Sequence, residues 1–509
     1  MEMGRPAKVG RTDMWYRLIP ILRNSVIGRF WRSVMSKMAY FITGVFLLAW
    51  ASWATGATIY VDDSALGANT GSKWADAYVF LQDALATAQS GDKVWVAQGI
   101  YKPDEEGGNI AGDRGASFQM RSGVKIYGGY PSGGGQLEER NPKIFETILS
   151  GDIGLAAWHY DNSYHVVRGT GADETALLDG FTICDGWASV GSMYVQPDDR
   201  GGGVYYGSHT MNNCVVRDNH AFLTCGGMYV FEGTISNSII TNNEASYSCG
   251  GMWLVNGRAY NCIVSNNRAT WTPSGGAGGV GLTDGLLSNC TIVGNTATIG
   301  SGIYTNRSNT IVNCIVRNNT GGDQIAMGFE NIITSIAHSN IQGGWPGVGN
   351  LDMDPLFVDV SGGDFHLQSA SLCIDAGDSV AVPSWVTTDL DGNPRIQGVA
   401  VDMGAYETAG SPQDVLDTTI GIVAGLDPGS LTNPNTGDTL VNKLQATIAL
   451  IEAGLYRDAM MKLQHDILPK TDGCALRGQP DKDDWIITCE GQQQVYPLVL
   501  QAIQLLQSI

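Results

Sequence analysis

The sequence predicts a right-handed, single-stranded parallel β-helix followed by a small α-helical domain. Three observations predict this fold: a unit of 24 to 28 residues recurs through the middle of the chain, apolar residues alternate within each unit, and the 509 residues include 67 glycines. Periods in the twenties with alternation at every second residue are typical of leucine-rich repeats and of parallel β-helices. Because these units contain almost no leucine, the β-helix is favoured.

Each repeat unit consists of a glycine pair, an alternating apolar stretch and the pattern Asn-x-x-Val/Ile-x-x-Asn, usually with cysteine in second place. The leading asparagines are separated by 24, 24, 28 and 24 positions: Asn213, Asn237, Asn261, Asn289 and Asn313. Successive coils of such a stack lie ~4.8 Å apart, so equivalent residues form ladders along its axis. We expect the last asparagine of each unit to stack at one corner, its amide bonding to the next coil: Asn219, Asn243, Asn267, Asn295 and Asn319.

The alternation also predicts which side chains point inward. In the first strand of each coil the inward set is Val204, Tyr206, Met228, Val230, Met252, Leu254, Val280 and Leu282. In the second strand it includes Cys214, Cys262, Cys290 and Cys314, which are predicted to be small buried hydrophobes. Cys225 and Cys249 stand one coil apart, within the ~4.4 to 6.8 Å Cα separation that a disulfide requires, so we regard them as candidates for a bridge.

Segments before the regular units resemble less regular coils of the same β-helix. Each is a short β-prone stretch bounded by Gly, Asp or Pro: 58–63, 93–97, 124–127, 147–149, 165–167 and 181–183. Residues 74–88 have helical spacing, and a helix there would cover the first coil, whose open edge would otherwise template aggregation. Four segments are expected to close the other end: 354–358, 365–367, 372–378 and 401–407.

After residue 410 the pattern becomes helical. Ser411 and Pro412 suit an N-cap and a first helical position, and further helices are predicted over 438–453, 455–468 and 492–507. The domain organisation is therefore 1–57 as a leader, 58–408 as the β-helix with its caps, and 411–509 as an α-helical domain large enough to fold alone. Cys474 and Cys489 flank the polar loop of this domain and are predicted to form a disulfide.

The leader has the features of a signal peptide with an extended basic n-region. Lys37 precedes an apolar stretch over 39–54, and small residues follow up to Ala57, near which we expect cleavage. A membrane anchor is the alternative, but the stretch is shorter than the ~20 apolar residues that a spanning helix usually needs. The protein is therefore expected to be exported, extracellular or at the cell surface, with no membrane span after cleavage.

The charge distribution restricts the partners. The formal charge is −20, and because the first 57 residues hold +6, the rest of the chain carries −26. Such a surface repels nucleic acid and anionic membranes. It suits an extracellular protein that collects divalent cations, so Ca²⁺ is the candidate cofactor. Asp389, Asp391 and Asn393 have the alternating oxygen spacing of a Ca²⁺ loop, although a turn held by Asx bonds is the favoured interpretation.

Several motifs carry a family resemblance. Residues 92–103 (DKVWVAQGIYKP), 124–130 (VKIYGGY) and 147–153 (TILSGDI), together with the Asn-Cys coils, resemble bacterial surface β-helix repeat proteins related to polymorphic outer-membrane proteins. Residues 354–358 (DPLFV), 373–377 (CIDAG), 389–395 (DLDGNPR) and 402–407 (DMGAYE) resemble the choice-of-anchor Q domain that often ends such chains. The resemblance implies a fold of the pectate-lyase type and surface attachment, and it transfers no catalytic residues.

An outward aromatic row is the leading candidate for ligand binding. Tyr205, Tyr229 and Trp253 follow the inward residue of three successive coils, Gly281 interrupts the row and Tyr304 resumes it. Stacked rings one coil apart would suit sugar faces, and packing that only stabilises the sheet is the alternative. A second outward row is apolar, and we expect the chain itself to cover it: Val215, Ile239, Ile263, Thr291 and Ile315.

Catalytic chemistry has less support in the sequence. Charged residues gather near the first regular coils, with Asp185, Arg217 and Asp218 as the candidates for acid, base or substrate contacts, but no spacing among them requires catalysis. We therefore predict a non-catalytic extracellular or cell-surface scaffold, similar to an adhesin, that binds polysaccharide or another cell-envelope glycan. The alternative is a polysaccharide lyase or glycoside hydrolase built on the β-helix.

Overall fold

The computed structural model describes residues 56–509, except 156–157, 190–196, 272–275, 329–333 and the single positions 399, 409 and 434. The predicted signal peptide over 1–57 therefore lies almost entirely outside the described residues. Within the described part, none of the helices is both long and apolar enough to cross a membrane.

Four parallel sheets run along the chain and define the β-helix. Sheet A contains Thr58–Val61, Lys93–Ala97, Lys125–Tyr130, Leu177–Asp179, Thr210–Asn212, Thr234–Ser236, Arg258–Tyr260, Leu286–Ser288, Asn309–Val312 and Thr334–Ala337. Sheet B contains Gly99–Tyr101, Thr147–Ser150, Thr182–Cys184, Val215–Arg217, Ile239–Thr241, Ile263–Ser265, Thr291–Val293, Ile315–Arg317 and Asn340–Ile341.

The other two sheets complete each coil. Sheet C contains Phe118–Gln119, Val167–Arg168, Val204–Tyr205, Met228–Phe231, Met252–Val255, Val280–Thr283, Gly300–Asn306 and Asp323–Met327. Sheet D is a corner sheet of four short strands: Trp187–Ala188, His220–Ala221, Glu244–Ala245 and Arg268–Ala269. A regular coil passes through C, A, B and D in turn, and each strand pairs with the equivalent strand one coil on, such as Val215 with Ile239. The predicted parallel β-helix is confirmed.

The predicted asparagine ladder is present at the corner after sheet B. Asn243 donates its Nδ2 to Oδ1 of Asn267 at 3.0 Å, and the same bond joins each member to the next: Asn219, Asn243, Asn267, Asn295 and Asn319. All five are buried. Asparagine at a corner can adopt left-handed backbone, but here the residue before each of the five adopts it, because the turn is made there: Asp218, Asn242, Asn266, Gly294 and Asn318.

The glycine pairs stand where neighbouring coils approach each other. A Cβ on Gly203, Gly227, Gly251 or Gly279 would lie 2.4 to 2.8 Å from the carbonyl oxygen of the next coil's glycine. No side chain fits in that space, which explains why glycine recurs there.

The interior is filled by the predicted alternating residues, with one exception. Val204, Met228, Met252 and Val280 are fully buried, as are the second-strand cysteines and their apolar partners. Tyr206 was predicted to point inward but is 37% exposed. Its φ of 49° shows that the strand has already ended, so the alternation no longer applies to it.

Both ends of the stack are covered. The predicted helix near the first coil is shorter than expected, because residues 77–80 are extended; it consists of a 3₁₀ turn Trp74–Asp76 and an α-helix Leu81–Thr87 that buries Leu81, Ala84 and Leu85. At the other end Trp345 packs against the interior. The closing region, residues 351–408, was expected to cover that end but lies along the side of the stack instead, and it includes the antiparallel pair Phe357–Asp359 and Asp364–Leu367. It packs on sheet B and buries Ile263 and Ile315.

The C-terminal part is helical, as predicted. Its helices are Pro412–Gly425, Thr436–Glu452, Tyr456–Lys462, Gly473–Arg477 and Cys489–Ser508, with a π-turn over Leu463–Ile467. Ser411 caps the first helix by accepting from the Asp414 backbone N–H. These helices enclose their own apolar core, and Gln501 joins them to the closing region by donating to the Ser371 carbonyl at 2.9 Å.

Candidate functional site

The aromatic row predicted from the sequence is a partly buried stack. Tyr205 lies against Tyr229 with ring centroids 6.3 Å apart, and it also stacks on His165 at 4.5 Å. Trp253 lies over Gly281, donates Nε1 to Thr283 at 3.1 Å and approaches Tyr304 at 6.2 Å. Tyr304 is only 7% exposed. The row is therefore better placed to stabilise sheet C than to receive a ligand.

A different set of aromatic residues is exposed or half-exposed. We call it the aromatic ridge; it follows sheet D along the axis and consists of Trp158, His159, Tyr160, Trp187, His220, Phe222, Tyr247 and Trp271. Trp187 stacks on His220 with centroids 3.9 Å apart, and Tyr247 lies 5.1 Å from Phe222 and 4.8 Å from Trp271. Trp158, Tyr160 and Trp271 are 55%, 65% and 54% exposed.

The sequence contains a signal for the ridge in the spacing of its rings. Tyr247 and Trp271 are separated by 24 positions, which is the step of the repeat, and Phe222 stands one position off that step. Polar groups accompany the rings. On sheet D, Glu244 pairs in register with His220 and Arg268 pairs with Glu244, and the Thr270 hydroxyl donates to the Glu244 carboxylate at 2.9 Å.

A groove of about 910 Å³ lies at the corner between sheets A and B, which is the edge of sheet B away from sheet D. One wall is the loop that contains Arg140 and Glu146, and the other is the closing-region turn Thr388 to Gly392 with Tyr406. The floor consists of amides and apolar side chains from successive coils: Thr182, Asn212, Asn213, Val215, Asn237 and Ile239.

Charges in this groove are largely paired within the protein. Arg140 binds Asp179, and Lys143 reaches across from one wall to Asp391 on the other at 2.7 Å. Asp391 also contacts His366, whose second nitrogen contacts Asp364. Burial lowers the pKa of His366, but its hydrogen bonds to the two carboxylates outweigh that effect and raise the pKa above its ordinary value. Glu146, with a half-exposed side chain, accepts from the Thr182 hydroxyl at 2.7 Å and lies 3.9 Å from the Arg217 guanidinium.

The catalytic candidates occupy positions that the fold explains. Asp185 and Asp218 stand at equivalent turn positions of neighbouring coils, both with left-handed backbone, where Asn and Gly occur in the later coils. Arg217 pairs with Asp218 at 2.7 Å, and the Asp185 carboxylate accepts from the Ser150 hydroxyl at 2.8 Å. Such contacts satisfy these charges at a turn, so the arrangement provides no specific indication of acid–base chemistry.

The candidate Ca²⁺ loop is an Asx-type turn, which was the favoured interpretation. One carboxylate oxygen of Asp389 accepts hydrogen bonds from the backbone N–H groups of Asp391 and Asn393 at 3.0 and 2.8 Å. Its other oxygen accepts from the backbone N–H of Glu407. Asp391 is bound by Lys143 and His366. Their oxygens are thus used by protein donors, and across the described ranges no group of three or more His, Cys, Asp or Glu could hold a metal ion.

The two disulfide candidates differ in outcome. Cys474 and Cys489 are bonded, with Cα atoms 5.5 Å apart. Cys225 and Cys249 are free, fully buried thiols, so the structure contradicts that predicted bridge. Both pack in a small apolar cluster with Ala277 beneath the aromatic row, an environment that suits neutral thiols.

Buried histidines predict acid sensitivity. His209 is 2% exposed, and burial lowers its pKa from 6.5 to about 4. Between these values the unfolded chain binds more protons than the folded one, so stability falls as pH drops from about 6.5 to about 4, by about 3 kcal/mol for this residue at most. We expect His209→Leu to reduce the difference between unfolding free energies measured in urea at pH 7 and pH 4.5. An unchanged difference would show that His209 does not contribute.

The sheets and their register define the class of this protein as a parallel β-helix with a helical C-terminal domain. No protein family model matches the chain. No curated protein matches it either. Among solved structures it is similar to the crystal structure of pectate lyase Pel9A, with 13% sequence identity and a TM-score of 0.35 over 70% of this chain and 97% of that one. At this distance the similarity carries no argument about activity.

Proposed function

We propose that this protein is an exported, non-catalytic scaffold that binds a polysaccharide chain along the aromatic ridge. The observation that carries the proposal is the alignment of half-exposed rings over successive coils of sheet D, with exposed rings at both ends of the series. Sugar rings present apolar C–H faces that pack on aromatic side chains, while their hydroxyls need polar partners. Glu244 and Thr270 supply such partners beside the rings.

The acidic surface favours a neutral glycan. With −26 on residues 58–509, a polyanion such as polygalacturonate would be repelled, whereas a neutral chain would not. Export fits the leader, the Cys474–Cys489 disulfide and this charge, and it places the ridge where polysaccharides are found.

The test uses affinity electrophoresis of the mature protein in gels that contain xylan, galactomannan or polygalacturonate. We expect a neutral polysaccharide to retard the wild type, Trp271→Ala and Trp158→Ala each to weaken binding on the order of 5-fold, and the double variant to abolish it. Because both side chains are more than half exposed, the melting temperature should not change.

Trp385→Ala is the matched control, because Trp385 is also 55% exposed but lies away from the ridge against Tyr260. Retardation that persists in the double variant, or that Trp385→Ala reduces equally, would contradict the ridge as the binding surface. Loss of retardation in Trp253→Ala alone, at unchanged melting temperature, would show that the aromatic row predicted from the sequence binds the polysaccharide instead of the ridge. Release of reducing ends or unsaturated products would instead indicate a hydrolase or lyase.

A further inference from the structure

The leading asparagines of the repeat form a second ladder, and its later members bind the main chain of the closing region. Asn261 donates Nδ2 to the Thr388 carbonyl at 2.7 Å, Asn289 donates to the Asp402 carbonyl at 3.0 Å, and Asn313 donates to the Asp378 carbonyl at 3.1 Å. The three later coils therefore use the same side chain at the same position to hold the main chain of the closing region.

An apolar row beside this ladder binds the same segment. Ile263, Thr291 and Ile315 are 3%, 1% and 1% exposed because the closing region covers them. Met403 and Ala405 pack in the same apolar cluster, and the Ala405 backbone N–H donates to the Thr291 hydroxyl at 3.2 Å. The expected covering of the apolar row by the chain itself is thus confirmed for these three coils.

The closing region covers only part of the asparagine ladder and of the apolar row. Asn213 and Asn237 continue the asparagine ladder into the groove, and Val215 and Ile239 continue the apolar row there, half-buried. The Nδ2 groups of Asn213 and Asn237 donate to Asp179 and Asn212 at 3.3 and 2.9 Å, which leaves one N–H of each amide for a ligand. Asn261 uses its Nδ2 in the same way, since it donates both to Asn237 and to the Thr388 carbonyl. The groove is therefore the open continuation of an interface that the protein already makes with a polypeptide.

We propose that the groove binds an extended peptide segment of a partner protein, held by main-chain bonds to Asn213 and Asn237 and by small apolar side chains on Val215 and Ile239. The segment carries no acidic side chains, because Glu146 is half-exposed in the groove while Arg140 and Lys143 are already paired with carboxylates. Within the closing region Arg395 pairs with the Glu407 carboxylate, and Arg395 lies outside the groove lining.

The probe is the fluorescein-labelled peptide AVNMGAYQ, which copies residues 400–407 with Asp402→Asn and Glu407→Gln. We expect its fluorescence anisotropy to rise saturably with the full-length mature protein, and a scrambled peptide to show no rise. Val215→Lys, which places a bulky cation on the floor, should weaken binding at least about 10-fold, and Asn213→Gly about 5-fold for one lost hydrogen bond.

Both variants are chosen to fold. Asn213 is exposed with φ of 51°, a conformation that glycine adopts freely, and Val215 points outward. The matched control is Ile100→Lys, because the Ile100 side chain is 57% exposed in the same outward row of sheet B, three coils before Val215 and outside the groove.

The outcomes separate this proposal from the proposed function. Binding that Val215→Lys and Asn213→Gly weaken, while Ile100→Lys and the ridge double variant Trp158→Ala/Trp271→Ala do not, supports a peptide groove. Absence of saturable binding, or equal loss in Ile100→Lys, overturns it. The proposal is also overturned if peptide binding is absent and Val215→Lys abolishes polysaccharide retardation, because the groove would then be a glycan site.

Discussion

Replacing Asn267 with alanine is expected to destabilise the β-helix by about 3 to 5 kcal/mol. The Asn267 carboxamide oxygen accepts from both the backbone N–H and the Nδ2 of Asn243, each at 3.0 Å. Its Nδ2 donates to the Ile240 carbonyl and to Asn295. All these groups are buried, so alanine would leave donors and acceptors without partners, at about 1 to 3 kcal/mol each before relaxation.

The measurement is urea unfolding followed by far-UV circular dichroism at pH 7. Asn266→Gly is the matched control, since Asn266 is the adjacent asparagine, is exposed and has φ of 55°, which glycine accepts. Its unfolding free energy should stay within about 0.5 kcal/mol of the wild type. Equal stability of the two variants would mean that the ladder does not hold the coils together.

Replacing Arg395 with methionine is expected to loosen the closing region and to lower stability by about 3 to 5 kcal/mol. Arg395 is 2% exposed and contacts the buried Glu407 carboxylate, the Asn261 carboxamide and the Ala405 carbonyl. Burial raises the pKa of Glu407 to about 7 even though Arg395 opposes the rise. Without the guanidinium, that buried carboxylate would have no counter-charge.

The pH dependence of this loss identifies its cause. Glu407 has an ordinary pKa of 4.5, so above that pH the unfolded chain is ionised while the folded variant resists ionisation. We therefore expect the loss on Arg395→Met to be larger at pH 8 than at pH 5, as measured by urea unfolding. Arg307→Met is the control, because the Arg307 side chain is 75% exposed beside Asp284 and should contribute little. A loss that does not depend on pH would indicate packing rather than charge.

Much of the site could not be predicted because it depends on how distant segments meet. The sequence alone indicated a row of rings at Tyr205, Tyr229 and Trp253. Only the folded chain shows that His165 stacks on Tyr205 and that Trp253 lies over Gly281. The aromatic ridge combines a repeat-spaced set with Trp158 and Tyr160 from an irregular coil. The groove depends on Lys143 meeting Asp391, which lies 248 residues away.

What the sequence by itself determined was the β-helix and its internal ladders. A side chain that recurs at one coil's length must stack on its equivalent, so Asn243 on Asn267 and Val216 on Ile240 followed from spacing alone. Only the tertiary structure decided which part of the apolar row is covered. The repeat specifies contacts between neighbouring coils, but it carries no information about where the closing region folds back. For that reason Ile263 is buried and Val215 is only half-buried, although the repeat gives them the same place in their coils.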